Sequence, residues 1–280
     1  MNTRKILLGL LVTFFGVTTA NSQILSDKAL GAVQKGVKGF TFGDAEAAAL
    51  SKEAVDQMDK DNPVAGPKDP YAIRLNRIFG KHKNENGLTL NYKVYKVKDI
   101  NAFAAADGSV RVFQGLMNIM DDNELLAVIG HEIGHVANHD TRDAIKAAYK
   151  KEALMDVAAS QSGKMAELSE GQLGKILNTV IDNKHSRKQE TEADSFSYEF
   201  MKRNGYDVNA VESSFNILVK LSQGEESNFL NRMMSSHPNS KDRAEKAKKR
   251  AEKDGLYKPY VQKPIVNTAA KTTKKTKKKK

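Results

Sequence analysis

Cysteine and tryptophan are absent from this sequence, and proline is scarce, with six in 280 residues. Without cysteine there is no disulfide framework, no thiolate nucleophile and no cysteine-ligated zinc. A long apolar run is also missing. The longest, Ile6–Val17, falls short of the roughly 20 residues that cross a bilayer. An excess of positive charge is present but local. Basic residues exceed acidic ones by 11, yet seven lysines sit in the terminal "KTTKKTKKKK", and removing those seven leaves an excess of 4. A nucleic-acid partner is therefore not expected. Residues 256–280 read as a disordered, Lys-rich tail, with a membrane surface or an acidic protein as its candidate partner.

The N-terminus has the layout of a secretory signal peptide: Arg4 and Lys5, the apolar run, then small and polar residues to Ser22. Residues 1–22 are read as that signal, which places the protein in the periplasm or outside the cell. With no cysteine after the run, a lipid-modified N-terminus is not expected. The folded unit is expected over 23–255.

Along that unit the periods alternate. Residues 24–60 have helical spacing, with Leu50, Ala54, Val55 and Met58 on one stripe. "DNPVAGPKDP" breaks it, and Asp69-Pro70 opens a second helix whose Ile73, Ile78 and Phe79 supply apolar contacts. Residues 84–99 suggest a strand, and 101–115 two strands turning at Asp107-Gly108. Asp121, three residues before Glu124, starts the next helix with a capping-box pattern. A polar helical stretch over 141–185 reads as a lid over a cleft. "SRKQETEADSFSYEFMKRNG" is another helix, closed by Gly205.

The chemistry concentrates in "VIGHEIGHVANHD" (128–140). Residues four apart share one helix face, so His131 and His135 present two imidazoles side by side, as a tetrahedral zinc ion requires. Glu132 lies around the helix, placed to take a proton from water beside the metal. The surrounding Val128, Ile129, Ile133 and Val136 make this a buried helix rather than a surface one. Gly130 and Gly134, costly in a helix, leave bare backbone for another element to approach. His139 is read as a supporting residue, and Thr141 stands where the metzincin pattern would have its third histidine. The third ligand is better sought in "SRKQETEAD". There Glu190 and Asp194 share a face: Glu190 can bind the metal while Asp194 accepts from a ligating imidazole. Glu192 points away. His82 and His185 read as surface residues.

Four stretches in order, "NAFAAADGSVRVFQGLM", "ELLAVIGHEIGHVANHD", "SRKQETEAD" and "SSHPNSKDR", resemble the HtpX-like and CAAX prenyl protease type 1-like zinc metallopeptidases, part of the gluzincins. The resemblance spans about 70–250 and is nearest to soluble periplasmic members. It implies an α+β, mostly helical zincin-type domain with a small mixed or antiparallel sheet beside the metal helix. It implies one Zn2+ per chain held by His131, His135 and Glu190, with Glu132 as general base. It also implies that His237 sits over the metal and that Arg243 supports its segment. The strand carrying Asn101, Ala102, Phe103 and Ala104 is expected to offer an edge to an extended substrate, which favours unfolded or misassembled polypeptides. The expected activity is that of a zinc endopeptidase in envelope protein quality control. The rival is a chaperone or assembly factor using the cleft only for binding; Glu132, a base such a site does not need, speaks against it.

Overall fold

The computed structural model describes residues 43–85, 87–159, 175, 178, 179, 184–223 and 227–267. The expected signal segment 1–22, most of 160–183 and the terminal lysines lie outside the described residues, so the lid reading rests on a segment only partly described.

The first helix, α1 (Asp44–Asp61), buries Ala54, Val55 and Met58 of the expected stripe together with Ala47, while Leu50 is half-buried against the same cluster. In α2 (Pro70–Phe79), Asp69 accepts from the Tyr71 amide and Pro70 occupies the first turn. Ile73 departs from expectation: it is 38 % exposed, and the buried face is Arg74, Leu75, Ile78 and Phe79. The single strand expected over 84–99 is three. A hairpin of β1 (Asn84–Glu85) and β2 (Leu88–Thr89) precedes β3 (Asn91–Tyr95). Leu90 separates β2 from β3, which is why the alternation slips.

β4 (Ala102–Ala104) and β5 (Ser109–Phe113) form the expected hairpin, with Gly108 at φ 85° in the turn. The three-stranded sheet has the order β3-β5-β4, with β3 parallel and β4 antiparallel to β5. It is therefore mixed, and both faces are covered. Val94, Val110, Val112, Ala102 and Ala104 join the main core, while Tyr95, Phe103 and Phe113 pack with α1. On the α1 side, Arg111 is buried and its guanidinium grips Asp59 at 2.7 and 2.9 Å. Burial pushes the Asp59 carboxyl up, but its bonds to Arg111, Lys93 and Tyr95 outweigh this and hold it at about 2.

After α3 (Gln114–Ile119) come α4 (Asp122–Ala137), α5 (Asp140–Ala159), α6 (Arg187–Arg203), α7 (Asn209–Ser222), α8 (Ser227–Ser236) and α9 (Ser240–Lys253). The helix α4 runs through the main core, packed by β4, α6 and α7. Gly205 at φ 70° and Gly255 at φ 68° close α6 and α9. Among the described residues no helix is long and apolar enough to cross a membrane.

The start of the tail, expected to be disordered, is held. Residues 256–267 run as a strap over the outside of α3, α4 and α7. Asn209 bonds Leu256 and Lys258, Tyr260 donates to Asp121, Gln262 donates to Ile119 and Glu124, and Asn267 meets Arg74 and Asn118. Tyr257 and Tyr260 also pack on the core. Composition alone hid these anchors, because the lysines belong mostly to the residues beyond them.

Candidate metal centre

The metal helix α4 begins with a full capping box. Asp121 accepts from the amides of Asn123 and Glu124, and Glu124 accepts from the Asp121 amide at 2.8 Å. From Glu124 to Val136 every residue is buried. The glycines set the distance to α6. A Cβ on Gly134 would lie 3.0 Å from Ala193 Cα, and one on Gly130 would lie 3.0 Å from a Phe200 ring atom. Gly134→Ala therefore meets backbone, not a movable side chain. The expected outcome is a net loss of about 1–2 kcal/mol, overpacking exceeding the roughly 1 kcal/mol gain in helix propensity, together with weaker metal retention. An unchanged melting temperature would show that the two helices are not in limiting contact.

This close approach brings Glu190 of α6 against the two histidines. Glu190 Oε1 lies 3.4 Å from His135 Nε2, and Oε2 lies 3.6 Å from His131 Nε2. The two Nε2 atoms are 3.0 Å apart. His237, just past α8, adds its Nδ1 at 3.2 Å from His131 Nε2 and 3.0 Å from Glu190 Oε1. All four side chains are buried, with one donor atom from each within 4.8 Å of the others. His131, His135, Glu190 and His237 are thus brought together as read from the sequence.

The supporting shell is partly as expected. His131 Nδ1 meets Asp194 Oδ1 at 2.9 Å, and Arg243 bonds Asp194 through Nη2 at 2.6 Å. Arg243 Nη1 also lies beside Glu190 Oε2, and its Nη2 lies 3.0–3.1 Å from the His131 ring nitrogens. Behind it, the guanidinium rests on the Phe215 ring at 4.3 Å. His139 is different. It is exposed, with φ 67°, at the break between α4 and α5. That left-handed turn swings the next residue back, so Asp140 Oδ2 meets His135 Nδ1 at 2.8 Å, and Gln189 of α6 donates to the other Asp140 oxygen at 3.0 Å. Asp140, missed in the sequence, holds the place at His135 that Asp194 holds at His131. The available signal was an unassigned acid just beyond the helix end.

His185 is also misplaced by the sequence reading. Its ring stacks on His135, 3.6 Å between centroids and 13° from parallel, and faces His237 at 5.2 Å. His82 is buried rather than exposed, bonded to Glu85 and Tyr206 away from the cluster. Glu192 is solvent-facing and pairs with Lys188.

The donor set fits a cation. With each Nδ1–H given to a carboxylate, both Nε2 atoms are left as lone-pair acceptors pointing at one another, alongside a carboxylate. Glu132 Oε1 is buried without a hydrogen-bond partner among the described residues, and Glu190 Oε2 has the Arg243 guanidinium beside it. Two imidazoles and a carboxylate, with a third imidazole beside them, are the donors zinc prefers. Burial pushes the Glu190 carboxyl up, but His135 and His237 bonds outweigh it and hold it well below the usual carboxylate range. Burial and the Arg243 charge lower His131 to about 3. Burial also lowers His135, but its bonds to Asp140 and Glu190 prevail and raise it to about 9. Burial lifts the Glu132 carboxyl, against the opposing charges of His237 and His135. A carboxylate with raised proton affinity, 3.6 Å from His237 Nε2, is placed to accept and return a proton.

Comparison with known proteins agrees with this geometry. The model of Peptidase family M48 matches residues 75–251. Metalloprotease LoiP of Escherichia coli is 36% identical over 241 residues, covering 86% of this chain and 94% of that protein. Metalloprotease YcaL of Escherichia coli is 40% identical over 209 residues, 74% of this chain and 81% of that protein. A putative beta-barrel assembly-enhancing protease of Vibrio cholerae is 27% identical over 195 residues, 65% of this chain and 38% of its own length.

Proposed function

The chain belongs to peptidase family M48 and is a metalloendopeptidase; from that premise we propose zinc-dependent cleavage of unfolded or misassembled polypeptides, with Glu132 as general base. The observation that carries this reading is the converging set His131, His135, Glu190 and His237 with the unpartnered Glu132 oxygen beside it.

When bound, zinc supplies Lewis acidity, polarising the scissile carbonyl and lowering the pKa of water towards about 7. His131, His135 and Glu190 would hold the ion. Asp194 and Asp140 fix the two imidazoles in the Nε2-ligating tautomer. Glu132 takes the proton of the attacking water and delivers it to the leaving amine. His237, through Nε2, donates to the developing oxyanion. In this role its Nδ1 stays with Glu190.

The substrate is placed along β4. Ala105 N–H and Asn101 C=O bond to β5, so Ala102 and Ala104 turn their backbone groups to the other side. Ala102 C=O and Ala104 N–H on that side suit an extended peptide added as another strand, with little dependence on its side chains. Asn101 supports the same placement. Its Oδ1 caps the Ala102 amide, while its buried Nδ2 has no partner among the described residues and is available to a substrate carbonyl. Thr141 reaches Ala104 O at 3.4 Å, a bond that the incoming strand displaces. A role in envelope quality control is supported by the signal-like N-terminus and by the beta-barrel assembly-enhancing protease among the relatives.

The test is metal removal. Purified protein is expected to carry one zinc ion per chain and to cleave a casein-like substrate. A chelator should remove both, and added zinc should restore both. Zinc without cleavage would favour the binding-only rival, and no zinc even after reconstitution would end the reading.

A further inference from the structure

A ligating imidazole must hold its Nε2 lone pair on the metal, yet the torsion that swings a histidine ring has only broad preferences of its own. The neighbours of the ring therefore set its plane. His131 has two such neighbours. Asp194 Oδ1 accepts from its Nδ1 at 2.9 Å, and Arg243 Nη2 stands 3.0–3.1 Å from both ring nitrogens. An atom that close to both nitrogens cannot lie in the ring plane without striking the carbon between them. The guanidinium therefore covers the face of the ring.

His135 repeats this arrangement with different residues. Asp140 Oδ2 accepts from its Nδ1 at 2.8 Å. The flat group on its face is the His185 ring, 3.6 Å between centroids and 13° from parallel. His185 is half-buried and directly precedes Ser186, the cap of α6. Its backbone N–H donates to Ser236 C=O at 3.3 Å, one residue before His237, whose ring faces that of His185 at 5.2 Å. One residue thus packs on a ligand with its ring and holds the His237 segment with its backbone.

We propose that His185 is a positioning residue of the metal centre: its ring fixes the plane of His135, as the Arg243 guanidinium fixes that of His131, and its backbone ties the His237 segment to the start of α6. This role rests on the zinc site of the proposed function, in which His131, His135 and Glu190 would hold the ion. Stacking restrains without competing. A ring packed face-on offers His135 no lone pair in its own plane, so neither nitrogen is drawn away from the metal or from Asp140. Small errors of ligand orientation are expensive. Losing a partner that orients a ligand typically costs about 10–100-fold in metal affinity, and a misplacement of about 1 Å at the reacting groups can cost roughly 10²-fold in rate.

The experiment compares wild type, His185→Ala and His185→Phe in three measurements: chelator competition for zinc, kcat and KM on a casein-like substrate, and the visible bands of the Co2+-loaded protein, which read ligand geometry without turnover. Neither change removes the backbone bond to Ser236 or the Ser186 cap. His185→Ala should weaken zinc binding by about tenfold, shift the cobalt bands, and lower kcat more than it changes KM. Phe keeps the flat face without ring nitrogens and should restore both affinity and bands. A wild-type chain that binds no zinc overturns the site and this role with it. With zinc bound in the wild type, a His185→Ala protein that matches it in affinity and bands overturns the role alone. So does a His185→Phe protein that falls with His185→Ala, since a ring nitrogen would then matter and not the face. A second zinc per wild-type chain, lost in both variants, overturns it as well. His185, His135 and Asp140 offer donor atoms within 4.8 Å of one another, and His185 would then be a ligand.

Discussion

Glu132→Gln is expected to lower kcat/KM for an unfolded protein substrate by roughly 10²–10⁴-fold, the usual contribution of a positioned general base, while metal content stays at the wild-type level. Gln has the shape of Glu but cannot take a proton from water. Glu132 Oε1 has no hydrogen-bond partner among the described residues, so the change breaks no bond at that atom. Glu132 is also absent from the converging donor set, which is why metal retention and activity should separate. Elemental analysis beside a casein-hydrolysis assay measures both. Activity within tenfold of wild type would assign the base to another group. Joint loss of metal and activity would make Glu132 a ligand.

Arg243→Ala should produce the largest loss of stability. The guanidinium is the counter-charge of two carboxylates, Asp194 and Glu190, one buried and the other nearly so. Burial pushes Asp194 up, but the Arg243 charge and the His131 bond prevail and keep it at about 2. Removing one partner of a buried pair costs about 3–5 kcal/mol, because the remaining charge is left uncompensated. For a domain of this size that is a fall in Tm of roughly 10 °C. The orientation of His131 depends on the same Asp194, so zinc affinity should fall by about 10–100-fold. Lysine should restore little, since one ammonium cannot serve Asp194 and Glu190 with the planar fork that does so now. Thermal unfolding and chelator competition are the measurements. A variant melting like wild type would show that these carboxylates find their compensation elsewhere.

What could be read in advance was local. The four-residue spacing of His131 and His135, the shared face of Glu190 and Asp194, and the caps at Asp69, Asp121 and Gly205 each depend on a few neighbouring residues. What could not be read depends on how distant segments meet. Asp140 becomes the partner of His135 only because His139 takes a left-handed turn. His185 looked like a surface residue until the entry to α6 placed its ring on His135. The parallel pairing of β3 with β5 joins residues 91–95 to 109–113 across the intervening β4, and no turn sequence announces such a crossover. The strap was hidden for another reason. Its anchors are side-chain hydrogen bonds of Tyr260, Gln262 and Asn267, spread along the segment, which leave no periodicity to detect.

The interlock of His131, Glu190, His237 and Arg243 also sets an order in time. On a ribosome the first two histidines emerge more than a hundred residues before Arg243, and the strap that bonds Asp121 comes after it. A nascent chain has the general base early but not the third ligand, the counter-charge or the strap that braces its helix. The centre thus matures only after Arg243 and the strap have been made, and a chain that stops short of them holds the two histidines without their third ligand or counter-charge.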